Sequence, residues 1–134
     1  MLNTPPPIIQ TGKTFTDIKK STELGETLDS SAWVDCSFRD CELSGVDIMD
    51  AVFTKCHFQN VSFYWCSAFK SVFIDCKFEN CDLRGNFNDA KFIRCGIIDC
   101  AVGDNELGGI TVWEDAISHE TVVSGQPLPI IRGS

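Results

Sequence analysis

The sequence predicts a repeat solenoid, in which short units stack along one axis. The first observation is a five-residue period, which neither the 3.6-residue turn of a helix nor the two-residue alternation of a strand produces. The second is that all eight cysteines stand two places before an apolar residue of this period. A unit this short cannot bury its apolar residues alone, so it must stack on its neighbours. The periodic apolar residues, here called centres, are Trp33, Phe38, Leu43, Ile48, Phe53, Phe58, Phe63, Ala68, Phe73, Phe78, Leu83 and, after one missing residue, Phe87, Phe92, Ile97, Val102 and Leu107.

The individual units repeat a recognisable pattern of residue types. A small residue is followed by a polar or aliphatic one, then by Phe or Leu, and then by two mostly polar residues. Examples are CSFRD, CELSG, AVFTK, CHFQN, CKFEN, CDLRG and AKFIR. In these stretches, over residues 31–102, the sequence resembles the pentapeptide repeat family. The resemblance implies an all-β fold, a right-handed quadrilateral parallel β-helix, in which four pentapeptides form a 20-residue coil and the centre and the small residue point inward.

The cysteines are expected to be buried free thiols, because cysteine is a compact and mildly apolar residue. In this register Cys36, Cys56 and Cys76 form one inward column. Coils about 4.8 Å apart would place stacked Cβ atoms beyond the usual disulfide separation. Cysteines five residues apart would face different sides of the coil, unlike the C-x2-4-C pairs of zinc sites. The sequence therefore predicts neither a metal nor a cofactor.

The two ends of a solenoid expose apolar centres and unpaired strand edges, so both need covering. We expect residues 1–30 to form an N-terminal arm and cap, with a short capping helix in TFTDIKKSTELG, residues 14–25. Residues 31–102 form the β-helix. Residues 103–134 form a degenerate last coil and a C-terminal tail, in which Leu107, Val112, Ile117 and Val122 keep the five-residue period.

Two irregularities interrupt the repeat. Ala68 is a small centre, and Phe69 directly after it either fills the gap or points outward. One residue is missing between Leu83 and Phe87, in RGNFND, which predicts a bulge or a bend. Such a break is either a tolerated packing defect or a loop that carries function.

The outward positions predict a protein-binding surface. Around the centres Trp33, Phe53 and Phe73 the outward residues form an apolar strip, and an exposed patch of this kind usually marks an interface. The strip is covered by the termini of the chain, by a second copy in a homodimer, or by a foreign protein; the sequence leaves these alternatives open. The predicted partner-binding residues, which include neighbouring aromatic side chains, are Val34, Val52, Thr54, Tyr64, Trp65, Phe69, Val72 and Ile74.

The charge of the chain limits its partners. The net charge of −8 and the pI of about 4.5 disfavour direct binding to nucleic acid and to anionic membranes. The N-terminus shows no signal-peptide pattern, and no stretch approaches the roughly 18 apolar residues of a membrane span. We therefore expect a cytoplasmic location. Residues 51–74 contain no acidic residue, so the acidic charge lies toward both ends of the chain.

These observations predict a non-enzymatic protein-binding module, such as a bacterial immunity, inhibitor or adaptor protein. The family resemblance implies an alternative, a DNA mimic that binds DNA gyrase or a related topoisomerase, as quinolone-resistance proteins do. The negative charge fits this alternative, whereas the acid-free stretch 51–74 does not. An enzyme is disfavoured because only His57 and His119 could act as bases near neutral pH, and a narrow, filled coil offers no cleft.

Overall fold

The chain folds into a solenoid of short parallel β-strands. A computed structural model describes residues 8–25, 27–103, 111–119 and 122–123. One 3-10 turn, Ser21–Glu23, interrupts the strands. The strands are β1 (Ile9–Thr11), β2 (Thr14–Thr16), β3 (Ala32–Val34), β4 (Ser37–Glu42), β5 (Val52–Thr54), β6 (His57–Ser62), β7 (Val72–Ile74), β8 (Lys77–Glu79), β9 (Asp82–Leu83), β10 (Lys91–Ile93), β11 (Gly96–Ile98), β12 (Ala101–Val102), β13 (Val112–Glu114), β14 (Ile117–His119) and β15 (Val122–Val123).

The strands form three sides of the coil, and isolated bridges connect the coils on the fourth. The first side is a six-stranded sheet in the order β1-β3-β5-β7-β10-β13. The second and third sides share a nine-stranded sheet, because β4 and β6 continue around the corner between them. On the fourth side, isolated parallel bridges join Asp47 to Ser67 and Ser67 to Asn86. All strand pairs are parallel and align equivalent residues, as with Phe53 and Phe73, which confirms the predicted all-β parallel β-helix.

The centres fill the interior as stacks of aromatic rings. Phe58 is fully buried, and its ring centroid lies 4.9 Å from that of Phe38 below and 4.8 Å from that of Phe78 above. On the first side, Phe53 and Phe73 stack in the same way at 4.9 Å. Neighbouring stacks meet edge to face, the arrangement that aromatic quadrupoles favour. The spacing of the coils thus matches the spacing of stacked rings.

The corners of the coil require a left-handed backbone. In most coils the second residue after each centre has a φ between 52° and 60°, although few of these residues are glycine. Most of them use the backbone N–H to reach the next coil; for example, Asp35 donates to the carbonyl of Thr54 at 3.0 Å. Aspartate and asparagine tolerate this conformation better than most residues. Many of the acidic residues therefore stand at corners for a structural reason, which the sequence analysis missed.

All eight cysteines are buried free thiols, as predicted. Six of the Sγ atoms donate to carbonyl oxygens of the preceding coil, as Cys56 does to Trp33 at 3.4 Å and Cys76 to Phe53 at 3.3 Å. Burial raises the pKa of the Cys66 thiol to about 12. The thiol is the reactive group only when ionised, so Cys66 is a packing residue rather than a nucleophile.

The N-terminal region does not form the expected helix over residues 14–25. Strand β2 occupies Thr14–Thr16 and pairs with β4, and only the Ser21–Glu23 turn is helical. The Phe15 ring stacks on Phe38 at 5.1 Å and continues the aromatic column. The reason is that Thr-Phe-Thr alternates in the manner of a strand and has an open sheet edge to pair with. Residues 1–7, which include the proline run, lie outside the described residues.

The register predicted for the last coil is wrong by one residue. Val112 and Ile117, expected as inward centres, are 40% and 56% exposed. The strand pairing aligns Val112 with Lys91, and the buried positions are taken by Ala116 and Ser118. Equivalent residues of β10 and β13 are 21 apart, so one extra residue lies between the two coils. Leu107 and residues 124–134 lie outside the described residues.

The missing residue between Leu83 and Phe87 produces a bend at Gly85, which confirms the prediction. A Cβ atom at Gly85 would lie 2.7 Å from Sγ of Cys66 and 3.0 Å from its backbone N and O. The shortened corner therefore requires glycine. Ala68 is fully buried, whereas Phe69 is half-buried at an outward position and does not replace it as a centre.

Candidate protein-binding face

The outward residues of the first side form the candidate site, here called the apolar face. Strands β3, β5, β7 and β10 bury their central residue and direct the two flanking residues outward, so the six aligned strands of this sheet have two outward columns. One column contains Ile9, Ala32, Val52, Val72, Lys91 and Val112, and the other contains Thr11, Val34, Thr54, Ile74, Ile93 and Glu114. Lys91 and Glu114 are the charged members, and both lie toward the C-terminal end.

Five of the predicted partner-binding residues lie on the apolar face. They are Val34, Val52, Thr54, Val72 and Ile74, and each is half-buried or exposed. The face extends beyond the predicted strip at both ends, through Ile9, which is 68% exposed, and through Val112. Sequence reasoning missed these two residues because it placed Ile9 in an arm and Val112 in the core. Only the strand pairing shows that both residues belong to the outward column of this sheet.

Phe69 lies next to the apolar face, around one corner. It occupies the outward column of the fourth side that adjoins the first side, together with Met49, and both are half-buried. The Lys70 ammonium, at the corner itself, lies 5.3 Å from the centroid of the Phe69 ring. These side chains extend the apolar surface past the corner.

Tyr64 and Trp65 are separated from the apolar face by the whole fourth side. Together with Arg84 they form an aromatic corner between the third and fourth sides. Trp65 is 66% exposed, and its ring meets that of Tyr64 edge to face at 5.8 Å. The Arg84 guanidinium lies 4.9 Å from the Tyr64 ring centroid and is held by Asp82 at 2.6 Å. The structure thus divides the predicted residues into two surfaces and adds Arg84, which the sequence analysis missed.

Trp65 has an unusual backbone for its residue type. Its φ is 59°, at a corner where the preceding coil has Gly45. A left-handed conformation is rare for a bulky side chain. The chain therefore keeps a large exposed aromatic residue at a position where glycine or asparagine would be less strained.

Charged residues of alternating sign flank the apolar face. Along the corner between the first and second sides stand Asp35, Lys55, Asp75, Arg94 and Asp115. Along the corner between the fourth and first sides stand Ser30, Asp50, Lys70 and Asp89. Hydrogen bonds of 2.8 and 3.2 Å from the Arg94 guanidinium hold the pKa of the Asp75 carboxyl below its usual value. The flanks of the face are therefore not uniformly acidic.

The corner between the second and third sides is polar throughout. The Asn60 amide donates to the Asp40 carboxylate at 2.7 Å, and the Asn80 amide donates to Asn60 at 3.3 Å. Nearby, Nε2 of His57 lies 2.6 Å from the Glu79 carboxylate, and this hydrogen bond keeps the pKa of Glu79 below its usual value. His57 is thus engaged in an outward hydrogen bond with Glu79. Within the described part of the chain, no group of three or more His, Cys, Asp or Glu side chains could hold a metal ion.

A carboxyl pair on the fourth side gives the fold a pH dependence. Hydrogen bonding to Asp47, burial, and the charges of Asp47 and Asp50 raise the pKa of Asp29 to about 6. A raised folded-state pKa stabilises the fold below the unfolded-state pKa, near 4, and this stabilisation is lost as pH rises through about 6.

Asp29→Asn is therefore expected to raise the melting temperature more at about pH 7 than at about pH 5, because asparagine removes the repulsion that the ionised carboxyl experiences. Thermal unfolding of both proteins at the two pH values measures this difference. Asp99→Asn, on another corner, serves as the control. An equal effect of Asp29→Asn at both pH values would show that the carboxyl pair does not titrate in this range.

Comparison with known proteins agrees with the geometry. Residues 47–85 match the family model of pentapeptide repeats, in eight copies. No protein among those with curated functions matches the sequence significantly. In the described residues, no helix is both long and apolar enough to cross a membrane.

Solved structures with a similar fold have very different sequences. A trypsin-treated form of QnrB1, a plasmid-mediated fluoroquinolone resistance protein, superposes with a TM-score of 0.70 at 12% identity, over 83% of this chain and 57% of that chain. The present chain thus spans little more than half the length of that protein. Rfr23, a pentapeptide repeat protein from the cyanobacterium Cyanothece 51142, superposes with a TM-score of 0.51 at 10% identity, over 87% of this chain and 88% of that chain. At such identities the likeness concerns the fold alone. Residues 47–85 are thus matched as pentapeptide repeats, and the stacked four-sided coils are similar to the fold of solved pentapeptide repeat proteins.

Proposed function

We propose that the chain is a non-enzymatic protein-binding module whose binding surface is the apolar face. The observation that carries this proposal is the run of outward aliphatic side chains across adjacent strands of one sheet, including Val34, Val52 and Val72. A solenoid holds such a surface rigid, because the inner strands β3, β5, β7 and β10 each pair with the coils on both sides. Contiguous exposed apolar surface of this kind usually contacts another protein.

The other sides of the coil support this choice by contrast. β-Branched residues are common on any strand, so their presence alone would not indicate an interface. Yet the outward residues of β4, β6 and β8 on the second side are polar, including Arg39, Gln59 and Lys77. The C-terminal strands of the second side carry outward Ile98 and Ile117, but on the first side the outward aliphatic residues extend across adjacent strands from end to end. A module of this kind would serve as an immunity protein, an inhibitor or an adaptor.

The aromatic corner offers a second contact area. Tyrosine, tryptophan and arginine are the residue types that contribute most at protein interfaces. Trp65 combines large exposure with a left-handed backbone, a combination that lowers stability rather than raising it. We infer that Trp65 is retained for binding.

The test is a pull-down from bacterial lysate with three forms of the purified protein: unmutated, Ile74→Lys and Gln59→Lys. Ile74 lies on the apolar face, and Gln59 lies on the second side, so the same charge is added at two outward strand positions. We expect a protein that the unmutated and Gln59→Lys forms retain and that Ile74→Lys loses, because a lysine on the face must be desolvated on binding. Equal recovery by all three forms would refute the apolar face as the binding surface.

A second candidate is a DNA mimic that binds DNA gyrase or a related topoisomerase. The net charge of −8 and the fold shared with a fluoroquinolone resistance protein favour it. Against it, the corners beside the apolar face alternate acidic with basic residues, such as Lys55 between Asp35 and Asp75. In the same pull-down, a topoisomerase subunit retained by Ile74→Lys and released by high salt would favour the mimic over the apolar face.

A further inference from the structure

We propose that the occupant of the apolar face is a second copy of this chain, bound face to face with its solenoid axis antiparallel. This proposal rests on the proposed function, since it names the partner of the same surface. The charges that flank the face point to this occupant by their sign and their order.

The charges form a checkerboard around the face. Strand β5 lies between Asp50 at one corner and Lys55 at the other, whereas β7 lies between Lys70 and Asp75. The sign therefore reverses across each strand and again from one coil to the next. Strand β10 continues the alternation between Asp89 and Arg94.

The charged positions around β3, β5, β7 and β10 are electrically balanced, although the whole chain carries a net charge of −8. The acidic members are Asp35, Asp50, Asp75 and Asp89, and the basic members are Lys55, Lys70, Lys91 and Arg94. A neutral surface on an acidic protein is the part on which two copies repel each other least.

A two-fold axis that runs along the strand direction between β5 and β7 makes this pattern complementary to itself. Such an axis brings each strand of one copy opposite a different strand of the other, β5 opposite β7 and β3 opposite β10. Asp50 then faces Lys70 of the second copy, and Lys55 faces Asp75. Asp35 likewise faces Arg94. Because the interface is isologous, each of these pairs occurs twice.

Shifting the axis by half a coil destroys the complementarity. An axis directly over β7 would bring Lys70 opposite Lys70 and Asp75 opposite Asp75. An axis over β5 would do the same with Asp50 and Lys55. Like charges placed opposite each other disfavour a complex, so the checkerboard excludes these registers.

The same axis also pairs apolar with apolar residues. Val52 lies opposite Val72, and Val34 lies opposite Ile93. Thr54 lies opposite Ile74. All six strands of the sheet overlap, with β1 opposite β13, so no part of the face is left uncovered. A two-fold axis between β7 and β10 would also place unlike charges opposite each other. However, fewer strands of one copy would then lie opposite strands of the other.

A parallel pairing of the two solenoids is the remaining arrangement with unlike charges opposed. It would bring Asp50 of one copy opposite Lys55 of the other. However, it also brings Lys91 opposite Ile93, and Val112 opposite Glu114. The antiparallel arrangement instead brings Lys91 opposite Ala32 and Glu114 opposite Thr11, so the larger Ile93 and Val112 side chains face apolar residues, and for this reason we favour it.

The interface is small, which determines how it must be measured. Strands about 4.8 Å apart and about 10 Å long give a face of roughly 24 by 10 Å. This area is well below the roughly 800 Å² per partner of a standard interface. The dimer is therefore expected to dissociate on dilution, and its ion pairs to weaken as salt is added.

The test is sedimentation velocity at low salt, from low micromolar to near-millimolar concentration, on the whole chain and five variants. Asp50→Lys and Lys70→Asp each place like charges opposite each other, and we expect each to weaken the dimer about tenfold or more. The double variant Asp50→Lys/Lys70→Asp restores both pairs and should dimerise like the unmutated chain. Lysine and aspartate both already occupy left-handed corners, so the fold tolerates the exchange. Asp99→Lys, with the same charge change on another corner, is the control.

The results distinguish the antiparallel dimer from the parallel dimer. They also distinguish failure of the second-copy proposal from failure of the proposed function. Restoration by Asp50→Lys/Lys70→Asp supports the antiparallel dimer. Restoration by Asp50→Lys/Lys55→Asp instead would show the parallel dimer and overturn the antiparallel one. A chain that is monomeric at every concentration would overturn the second-copy proposal. If Ile74→Lys still loses a foreign protein in the pull-down, the apolar face stays the binding surface and only its occupant changes.

Discussion

Replacing Phe58 by alanine is expected to lower the free energy of unfolding by about 3–5 kcal/mol. Phe58 is fully buried and is stacked between Phe38 and Phe78. Its ring also meets Phe53 and Phe73 edge to face. Removing it breaks the aromatic column in the middle coil, and the rigid coils on both sides cannot collapse into the cavity. Urea unfolding followed by circular dichroism measures the loss.

A matched substitution on the neighbouring residue provides the control. Gln59→Ala changes an exposed side chain on the same strand and should stay within about 0.5 kcal/mol of the unmutated protein. If Phe58→Ala were as mild as Gln59→Ala, the inward register of the centres would be wrong.

The second large effect is expected at Gly85. Gly85→Ala should destabilise by about 1–3 kcal/mol, because the new methyl group would meet both the thiol and the backbone of Cys66. The thiol can rotate, but the backbone N and O at 3.0 Å belong to the neighbouring coil and cannot move without disturbing it. Thermal unfolding detects the change directly.

Gly96 offers the control for this substitution. A Cβ atom there would meet only the flexible Lys77 side chain, at 3.9 Å. Gly96→Ala is therefore expected to be neutral or slightly stabilising, because alanine has less chain entropy to lose on folding. Equal melting temperatures for the two alanine variants would contradict the tight corner that the structure places at Gly85.

The interior of the solenoid could be predicted from the sequence because every coil repeats the same requirement. A centre such as Phe58 and a small residue such as Cys56 must both fit a narrow cross-section, so residue type and position agree throughout residues 31–102. The bend at Gly85 could be predicted for the same reason, because the missing residue before Phe87 departs from the strict five-residue period.

The ends could not be predicted because they break that period. The first coil inserts three residues, as the pairing of Phe15 with Phe38 shows. The last coil contains one extra residue. Val112, which continues the five-residue period of the centres, is therefore exposed rather than buried. In both places strand pairing determines the register, and pairing partners cannot be read from composition or spacing.

The candidate site was partly visible in the sequence. Knowing the inward register was sufficient to find outward residues such as Val52 and Val72. The separation of Trp65 from them required the order of the four sides. The charge pattern was missed because Asp50 and Lys70 are 20 residues apart and become neighbours only when the coils stack.

The most direct test of the central claim, that the apolar face contacts protein, is site-specific photo-crosslinking. A benzophenone amino acid is placed at Val72 on the apolar face or, as a control, at Gln59 on the second side. The account predicts a protein adduct from position 72 alone, with twice the mass of the chain if the partner is a second copy. Adducts from position 59 without any from position 72 would contradict the account.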